Sequence, residues 1–142
     1  MFLTMKKNCE FCNFTDAPVI IHDDDLCYAV ISIYPINKHH VMVIPIKHYE
    51  NFIDLPDELV SHIFIVAKRI SEAVRKACKP DAITHVSEDD VTLSGYNGMA
   101  HYKFHIIPRF KKDIKQIDWG PLRVNANHNE RSIYTSEIKK HL

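Results

Sequence analysis

Apolar residues between positions 54 and 78 recur at steps of three and four, which predicts one long amphipathic helix. Asp54 is a candidate N-cap, and Pro56 suits the first turn of such a helix. The apolar face is expected to comprise Leu59, Ile63, Val66, Ile70, Ala73, Val74 and Ala77. Charged residues occupy the opposite side, so one face of the helix should pack on a core.

Shorter runs rich in β-branched and aromatic residues predict five strands, at 18–22, 26–33, 40–46, 82–86 and 101–109. The third run, HVMVIPI, is apolar along its length, which favours a central strand covered on both faces. A turn is expected at 23–25, a polar loop at 87–98 and a short helix at 136–141. The pattern indicates an α+β fold with a mainly antiparallel sheet and one long helix.

Composition narrows the class of protein. The 142 residues are 46% hydrophobic, which suits a single globular domain. The 18 basic and 18 acidic residues balance, which argues against a protein that binds nucleic acid through a positive surface. No apolar run approaches the length of about 18 residues typical of a membrane span. The N-terminal stretch lacks the apolar region of a signal peptide, so a cytoplasmic location is expected, extending to the nucleus in a eukaryote.

The four cysteines divide into two kinds. Cys27 and Cys78 have apolar neighbours, and we interpret each as a small buried hydrophobic residue. Cys9 and Cys12 form a Cys-x-x-Cys pair. Such a pair in a reducing compartment indicates either a metal knuckle or a redox pair, and the spacing alone leaves both interpretations open.

The stretch AHYKFHIIPRF, from 100 to 110, holds the most unusual pattern of the chain. His101, Lys103 and His105 alternate, so a strand would direct all three side chains to one face. A second histidine-rich stretch holds His39, His40 and His48, and the two groups form one cluster if their strands are neighbours. No role is expected for the scattered histidines His22, His62, His85, His128 and His141.

The segment PINKHHVMVIPIKHYENFIDLP, followed by HYKFHIIPRF, resembles the histidine triad (HIT) family of nucleotide hydrolases and transferases. The segments CEFC and HDDDLCYAVISIYP fit the same family. The resemblance spans 8–110 of a single domain at 1–142, with 111–142 as a C-terminal extension. It implies an α+β fold whose sheet continues across a homodimer, with a purine-nucleotide pocket beside the histidine-rich strand.

The resemblance also implies roles for individual residues. In the family, the middle histidine of the triad attacks the α-phosphate, and the last one binds and activates the phosphate. His101 matches the first position, Lys103 the middle one and His105 the last, while His40 matches a supporting histidine. Neutral imidazole attacks phosphorus readily near neutral pH, whereas a lysine ammonium has no lone pair until it loses its proton. We therefore expect attenuated hydrolysis.

Other ligand-contacting positions depart from the family pattern. Ser32 occupies the position of an aspartate that often holds the ribose, and Tyr96-Asn97 replaces a Gly-Gln pair. The acidic run Glu88, Asp89 and Asp90 would repel phosphates if it faced the pocket. Candidate nucleotide-binding residues are Ser32, Ile33, Tyr34, Asn97 and His105, and Val30, Ile33 and Tyr34 are candidates for an apolar wall.

Some family members bind zinc, and the residues that match their ligands are all present. They are Cys9, Cys12, His48 and His101, a Cys2His2 set suited to tetrahedral Zn2+. A site closed by four protein ligands would be structural and would leave no position for a catalytic water.

Three functional hypotheses remain open at this point. In the first, the chain hydrolyses phosphorus–nitrogen or phosphoanhydride bonds with attenuated or lysine-based chemistry. In the second, it binds nucleotides or partners and has lost hydrolysis. In the third, it is a zinc-stabilised dimeric adaptor that binds no nucleotide. Titration with AMP and GMP separates the third hypothesis from the others, and turnover of a nucleoside phosphoramidate separates the first from the second.

Overall fold

The computed structural model describes residues 9–89, 100–113 and 124–142. Within these ranges five strands form one antiparallel sheet: β1 (Ile20–Asp23), β2 (Cys27–Ile31), β3 (Val41–Pro45), β4 (Ala82–Glu88) and β5 (Lys103–Arg109). The strand order is β1-β2-β3-β5-β4, so β3 is central, as its apolar sequence predicted. Two helices, α1 (Asp57–Cys78) and α2 (His128–Lys139), complete the α+β fold, and the expected fold class is confirmed.

Helix α1 begins three residues later than Asp54, the candidate N-cap. The residue before a proline is biased away from helical geometry, and the N-cap is Pro56, with φ −57° and ψ 144° and without a side-chain capping bond. Phe52–Asp54 instead form a short 3-10 helix. The buried face of α1 otherwise follows the predicted periodicity. No helix in the described part of the chain has both the length and the apolar character needed to cross a membrane.

Both faces of the sheet are covered. Cys27, Ala29 and Ile31 of β2 belong to the core between the sheet and α1. The intervening residues Tyr28 and Val30 face the other way, where they pack with the N-terminal segment that carries the Cys-x-x-Cys pair. The sheet therefore separates an apolar core from a second layer that contains the polar candidates.

Strand β4 extends to Glu88, two residues into the segment expected to be a polar loop. It pairs with β5 residue by residue, so that Glu88 lies opposite Lys103. Strand β5 begins at Lys103, which places His101 just before the strand rather than within it. The backbone N–H of the next residue, Tyr102, donates to the Tyr49 carbonyl instead of to a neighbouring strand.

Helix α2 is longer than the short helix expected at 136–141. It starts with a capping box in which the Asn127 side chain accepts from the Glu130 N–H and the Glu130 carboxylate accepts from the Asn127 N–H. Only Thr135 and Ile138 are buried in this helix, which explains its weak apolar periodicity. Ile138 belongs to the main core, so the C-terminal segment packs on the domain.

Candidate functional site

Strand pairing brings His40 and His105 together. Val41 and Met42 of β3 pair with Ile106 and His105 of β5, and His40 immediately precedes β3. The His40 Nε2 atom lies 2.9 Å from His105 Nδ1. The two side chains are almost fully enclosed, at 0% and 2% exposure, so this polar contact is shielded from water. The two histidine-rich stretches therefore do meet in one site.

The hydrogen-bond partners assign the protons of both rings. The Ile36 N–H donates to His40 Nδ1 at 3.0 Å, so the ring proton of His40 must be on Nε2. That proton is donated to His105 Nδ1, which leaves the proton of His105 on its own Nε2. The His105 Nε2 atom lies 2.7 Å from Glu88 Oε2 and donates to it. Both imidazoles are thus neutral, and His105 presents an N–H rather than a lone pair toward Glu88.

Lys103 lies on the same face of β5 and is only 4% exposed. Its ammonium donates to the His101 carbonyl at 3.0 Å and lies 4.6 Å from the centre of the Phe11 ring. Burial lowers the pKa of Lys103 to about 8, against the opposing effect of the Glu88 carboxylate. Since that pKa still lies above neutral, the charged form predominates at pH 7.

Glu88 is the residue of this site that sequence reasoning did not select. It was expected to repel phosphate if it faced the pocket, and its carboxylate does face the cluster, in contact with His105. Its pairing opposite Lys103 on β4 also gives it an attractive interaction with the ammonium. The acidic run was the signal in the sequence that could have identified Glu88. The register of β4 against β5, which places Glu88 beside the cluster, was not visible in the sequence.

The expected nucleotide-binding residues beyond β2 are engaged in local contacts. The Ser32 N–H donates to the His40 carbonyl at 2.8 Å, and its hydroxyl accepts from the Tyr34 N–H at 3.3 Å. Ile33 is exposed, and its carbonyl accepts from Ala126. Asn97, Tyr96 and Asp90 lie outside the described residues.

Val30 pairs with Met42, and Met42 pairs with His105, so all three side chains point to the same side of the sheet. Val30 therefore lies on the face that carries the polar cluster. His39, in contrast, points away from it. Its backbone has a positive φ of 64°, its Nε2 contacts the Glu137 carboxylate of α2, and its ring packs on Tyr134.

The four residues that match the zinc ligands also converge. Cys9 Sγ lies 3.3 Å from His101 Nδ1, and Cys12 Sγ lies 3.3 Å from His48 Nδ1 and 3.6 Å from His101 Nδ1. All four side chains are buried, and their donor atoms lie within 4.8 Å of one another. Tetrahedral zinc with bond lengths of about 2.0–2.3 Å separates its ligand atoms by about 3.3–3.8 Å. This buried cluster can hold a metal ion.

The outer contacts of the two imidazoles support that fit. His101 Nε2 lies 2.9 Å from the Pro45 carbonyl, and His48 Nε2 lies 3.1 Å from Glu50 Oε1. Both rings thus direct Nε2–H outward and the Nδ1 lone pair toward the thiols, the arrangement that orients metal-bound histidines. Burial lowers the pKa of His101 to about 4, which keeps its imidazole neutral as a ligand must be.

Comparison with known proteins gives consistent matches. A family model described as the HIT domain matches residues 15–112. An uncharacterized HIT-like protein of Saccharolobus solfataricus is 32% identical over 108 residues, which cover 74% of this chain and 76% of the relative. The crystal structure of a Hit-like protein from Bartonella henselae superposes with a TM-score of 0.75 at 27% identity, covering 87% of this chain and 86% of that one.

A zinc-bound histidine triad family protein from Mycobacterium smegmatis has the same fold, with a TM-score of 0.74. It is 22% identical, and the alignment covers 94% of each chain.

Proposed function

The chain belongs to the HIT family, and from this premise we propose that it binds purine nucleotides and hydrolyses nucleoside phosphoramidates or dinucleotides at an attenuated rate. The observation that carries the proposal is the contact between His40 and His105 beside Lys103 on one buried sheet face. Buried polar side chains are costly unless each has a partner. Three of them next to one another favour a binding or catalytic role over a purely structural one.

The proton arrangement supports distinct roles for the three residues. His105 holds its proton on Nε2, which suits a donor to a phosphate oxygen. His40 orients that ring through the bond to Nδ1. Lys103 supplies a positive charge that favours phosphate binding, and we propose that it stands where other family members have their nucleophilic histidine. A protonated amine does not attack phosphorus, which is the reason for attenuated hydrolysis.

Glu88 favours an alternative in which hydrolysis is lost altogether. Its carboxylate accepts from His105 Nε2, the donor that a phosphate oxygen would need. A phosphate must therefore displace Glu88 or bind against its charge. In this alternative the protein is a catalytically inactive nucleotide-binding protein or a zinc-stabilised adaptor on the same scaffold.

We further propose that Cys9, Cys12, His48 and His101 bind one structural Zn2+. The supporting observation is the orientation of both Nδ1 atoms toward the two thiols, with each Nε2 occupied by an outer partner. Bound zinc would contribute folding free energy by tying the N-terminal segment to the sheet. It would take no part in chemistry, because four protein ligands leave no open position.

We also propose a homodimer. Apolar side chains are exposed on α1 and on the segment before it: Ile53, Phe64 and Ile65. Isologous pairing is the commonest way for a soluble protein to cover such a surface. Light scattering at micromolar concentration tests this, because one chain has a mass of 16.5 kDa and a dimer has twice that mass. A monomer mass would refute the dimer.

The central experiment compares wild type with Lys103→His on adenosine 5′-phosphoramidate. Wild type should turn over well below about 1 per second, an ordinary enzyme rate. The turnover rate of Lys103→His should be higher by about a hundredfold or more, because the substitution restores an imidazole nucleophile in an otherwise intact pocket. Lys103→Gln serves as the matched control, since it removes the charge without supplying a nucleophile and should not gain activity.

Ordinary turnover by wild type with no gain in Lys103→His would contradict the attenuation. Calorimetric titration with AMP and GMP tests binding separately from chemistry. Absence of binding and of turnover in both proteins would leave only the adaptor alternative. Binding without turnover in both would support the inactive nucleotide-binding alternative.

A further inference from the structure

Four side chains of metal-ligating type meet where the turn between β1 and β2 contacts helix α1. They are His22, Asp24, Cys27 and His62, and their donor atoms lie within 4.8 Å of one another. No role was expected for His22 and His62 from the sequence, in which 40 positions of unrelated pattern separate them. Among the described residues this is the second such cluster, distinct from the one built on Cys9 and Cys12.

Asp24 is the centre of the cluster. Its Oδ2 atom lies 2.5 Å from His22 Nε2, 2.7 Å from His62 Nε2 and 3.9 Å from Cys27 Sγ. Its Oδ1 atom accepts from the backbone N–H groups of Leu26 and Cys27, at 2.8 and 2.9 Å. The turn thus holds the carboxylate in place and aims its second oxygen at the two imidazoles.

The chemistry of this donor set suits a particular class of ion. One thiolate, two imidazole nitrogens and one carboxylate oxygen are ligands for Zn2+ and similar transition metals, whereas Ca2+ and Mg2+ prefer oxygen alone. Tetrahedral zinc would hold neighbouring donor atoms about 3.3–3.6 Å apart. The two short His–Asp contacts would open by about 0.6–1.1 Å to admit the ion.

The two clusters occupy opposite faces of the sheet. Cys27 packs in the core beneath α1, whereas Cys9 and Cys12 pack on the other face with Tyr28. They are close along the sheet, because Cys27 pairs with Pro45, whose carbonyl contacts His101. His22, Asp24 and His62 are partly exposed, so an ion can reach the cluster from solvent.

We propose that His22, Asp24, Cys27 and His62 form a second transition-metal site, which binds Zn2+ and ties the β1–β2 turn to α1. Binding here is independent of the proposed nucleotide site, whose residues Lys103 and His105 lie on the other face of the sheet. Each imidazole would bind the ion through Nε2 as the neutral ring with its proton on Nδ1, and the Cys27 thiol would bind as the thiolate, so binding releases the thiol proton to solvent.

The test uses the full chain, stripped of metal, in a Cys9→Ser/Cys12→Ser background that removes the first cluster. Titration with Co2+ alone should then give one equivalent with a thiolate-to-cobalt charge-transfer band. Cys27→Ser should abolish that band, and Cys78→Ser should preserve it as the matched cysteine control. A band that survives Cys27→Ser, or the absence of any band, would overturn the proposal.

Histidine and carboxylate variants give a second, independent readout by Zn2+ competition titration. In the same background, His62→Gln and Asp24→Asn should each weaken binding by at least about tenfold. His141→Gln, which changes an exposed histidine outside both clusters, should have no effect. Circular dichroism checks that each variant folds. If Cys27→Ser does not fold, the histidine and carboxylate variants alone decide the test. Unchanged Zn2+ affinity in His62→Gln and Asp24→Asn would then show that the cluster is a hydrogen-bonded His–Asp group and not a metal site.

Discussion

His40 Nε2 lies 2.9 Å from His105 Nδ1, although 65 positions separate the two residues along the chain. The contact depends on the pairing of β3 with β5, which aligns Met42 with His105. The hydrogen-bond chain extends from His40 to the Ile36 N–H and from His105 to the Glu88 carboxylate. A single direction of proton donation therefore runs through the site.

This direction predicts the tautomers of both rings. At neutral pH and without nucleotide, nitrogen NMR should find the proton of His40 and of His105 on Nε2. His40→Asn keeps an acceptor for the Ile36 N–H but no longer reaches His105, so His105 should lose its fixed tautomer. His40→Gln still reaches His105 and should preserve more of it. A proton on Nδ1 of His40 in wild type would contradict the arrangement.

Removing the charge of Glu88 should strengthen nucleotide binding. Glu88→Gln eliminates the repulsion between its carboxylate and a phosphate and weakens the bond that occupies His105 Nε2. We expect an affinity for AMP about tenfold higher, which corresponds to about 1.4 kcal/mol. Isothermal titration calorimetry measures the change.

Asp89→Asn is the matched control for Glu88→Gln, because it removes one negative charge from the adjacent position. It should raise the affinity much less, since no contact joins Asp89 to His105 among the described hydrogen bonds. Equal gains in the two variants would mean that net charge, rather than the contact with His105, governs binding.

Metal removal should destabilise the fold. A ligand that binds only the native state stabilises it by about 2.7 kcal/mol at a hundredfold excess over its Kd. We therefore expect a strong chelator to lower the Tm measured by calorimetry and Zn2+ to restore it. Cys12→Ser should lower the Tm as well and reduce the response to chelator to the part that the second cluster contributes, whereas Cys78→Ser should retain the full response.

Elemental analysis of metal-replete protein provides the stoichiometry. Less than about a tenth of an equivalent in wild type would refute zinc at Cys9, Cys12, His48 and His101. If both clusters bind zinc, we expect two equivalents in wild type and one in Cys9→Ser/Cys12→Ser.

Asp113 should contribute strongly to stability near the end of β5. Its carboxylate accepts from Arg109 at 2.9 and 3.1 Å, from Asn37 Nδ2 at 2.8 Å and from the Phe110 N–H at 3.0 Å. Asp113→Ala leaves these donors without that acceptor, and we expect the free energy of unfolding measured with denaturant to fall by about 2–4 kcal/mol.

The control is Asp81→Asn, at an exposed carboxylate that accepts from the Lys111 N–H, and it should cost less than about 1 kcal/mol. A small effect of Asp113→Ala would show that water replaces the carboxylate.

Local pattern was sufficient for the elements that carry the site. The apolar steps from Leu59 to Val74 predicted the buried face of α1, and alternation predicted that Lys103 and His105 share a side of β5. These features depend on neighbours within a few positions, which the sequence displays directly. The resemblance to the HIT family added the expectation that His40 lies near His105, and the contact between them agrees with it.

Tertiary structure decided which polar residues touch one another. Glu88 reaches His105 only because β4 pairs with β5 in one register, and a shift of one residue would turn the side chain to the other face. His22 and His62 meet through Asp24 because α1 crosses the sheet at that turn. Strand register and helix packing arise from contacts between distant segments, so composition and periodicity, which describe nearby residues, could not supply them.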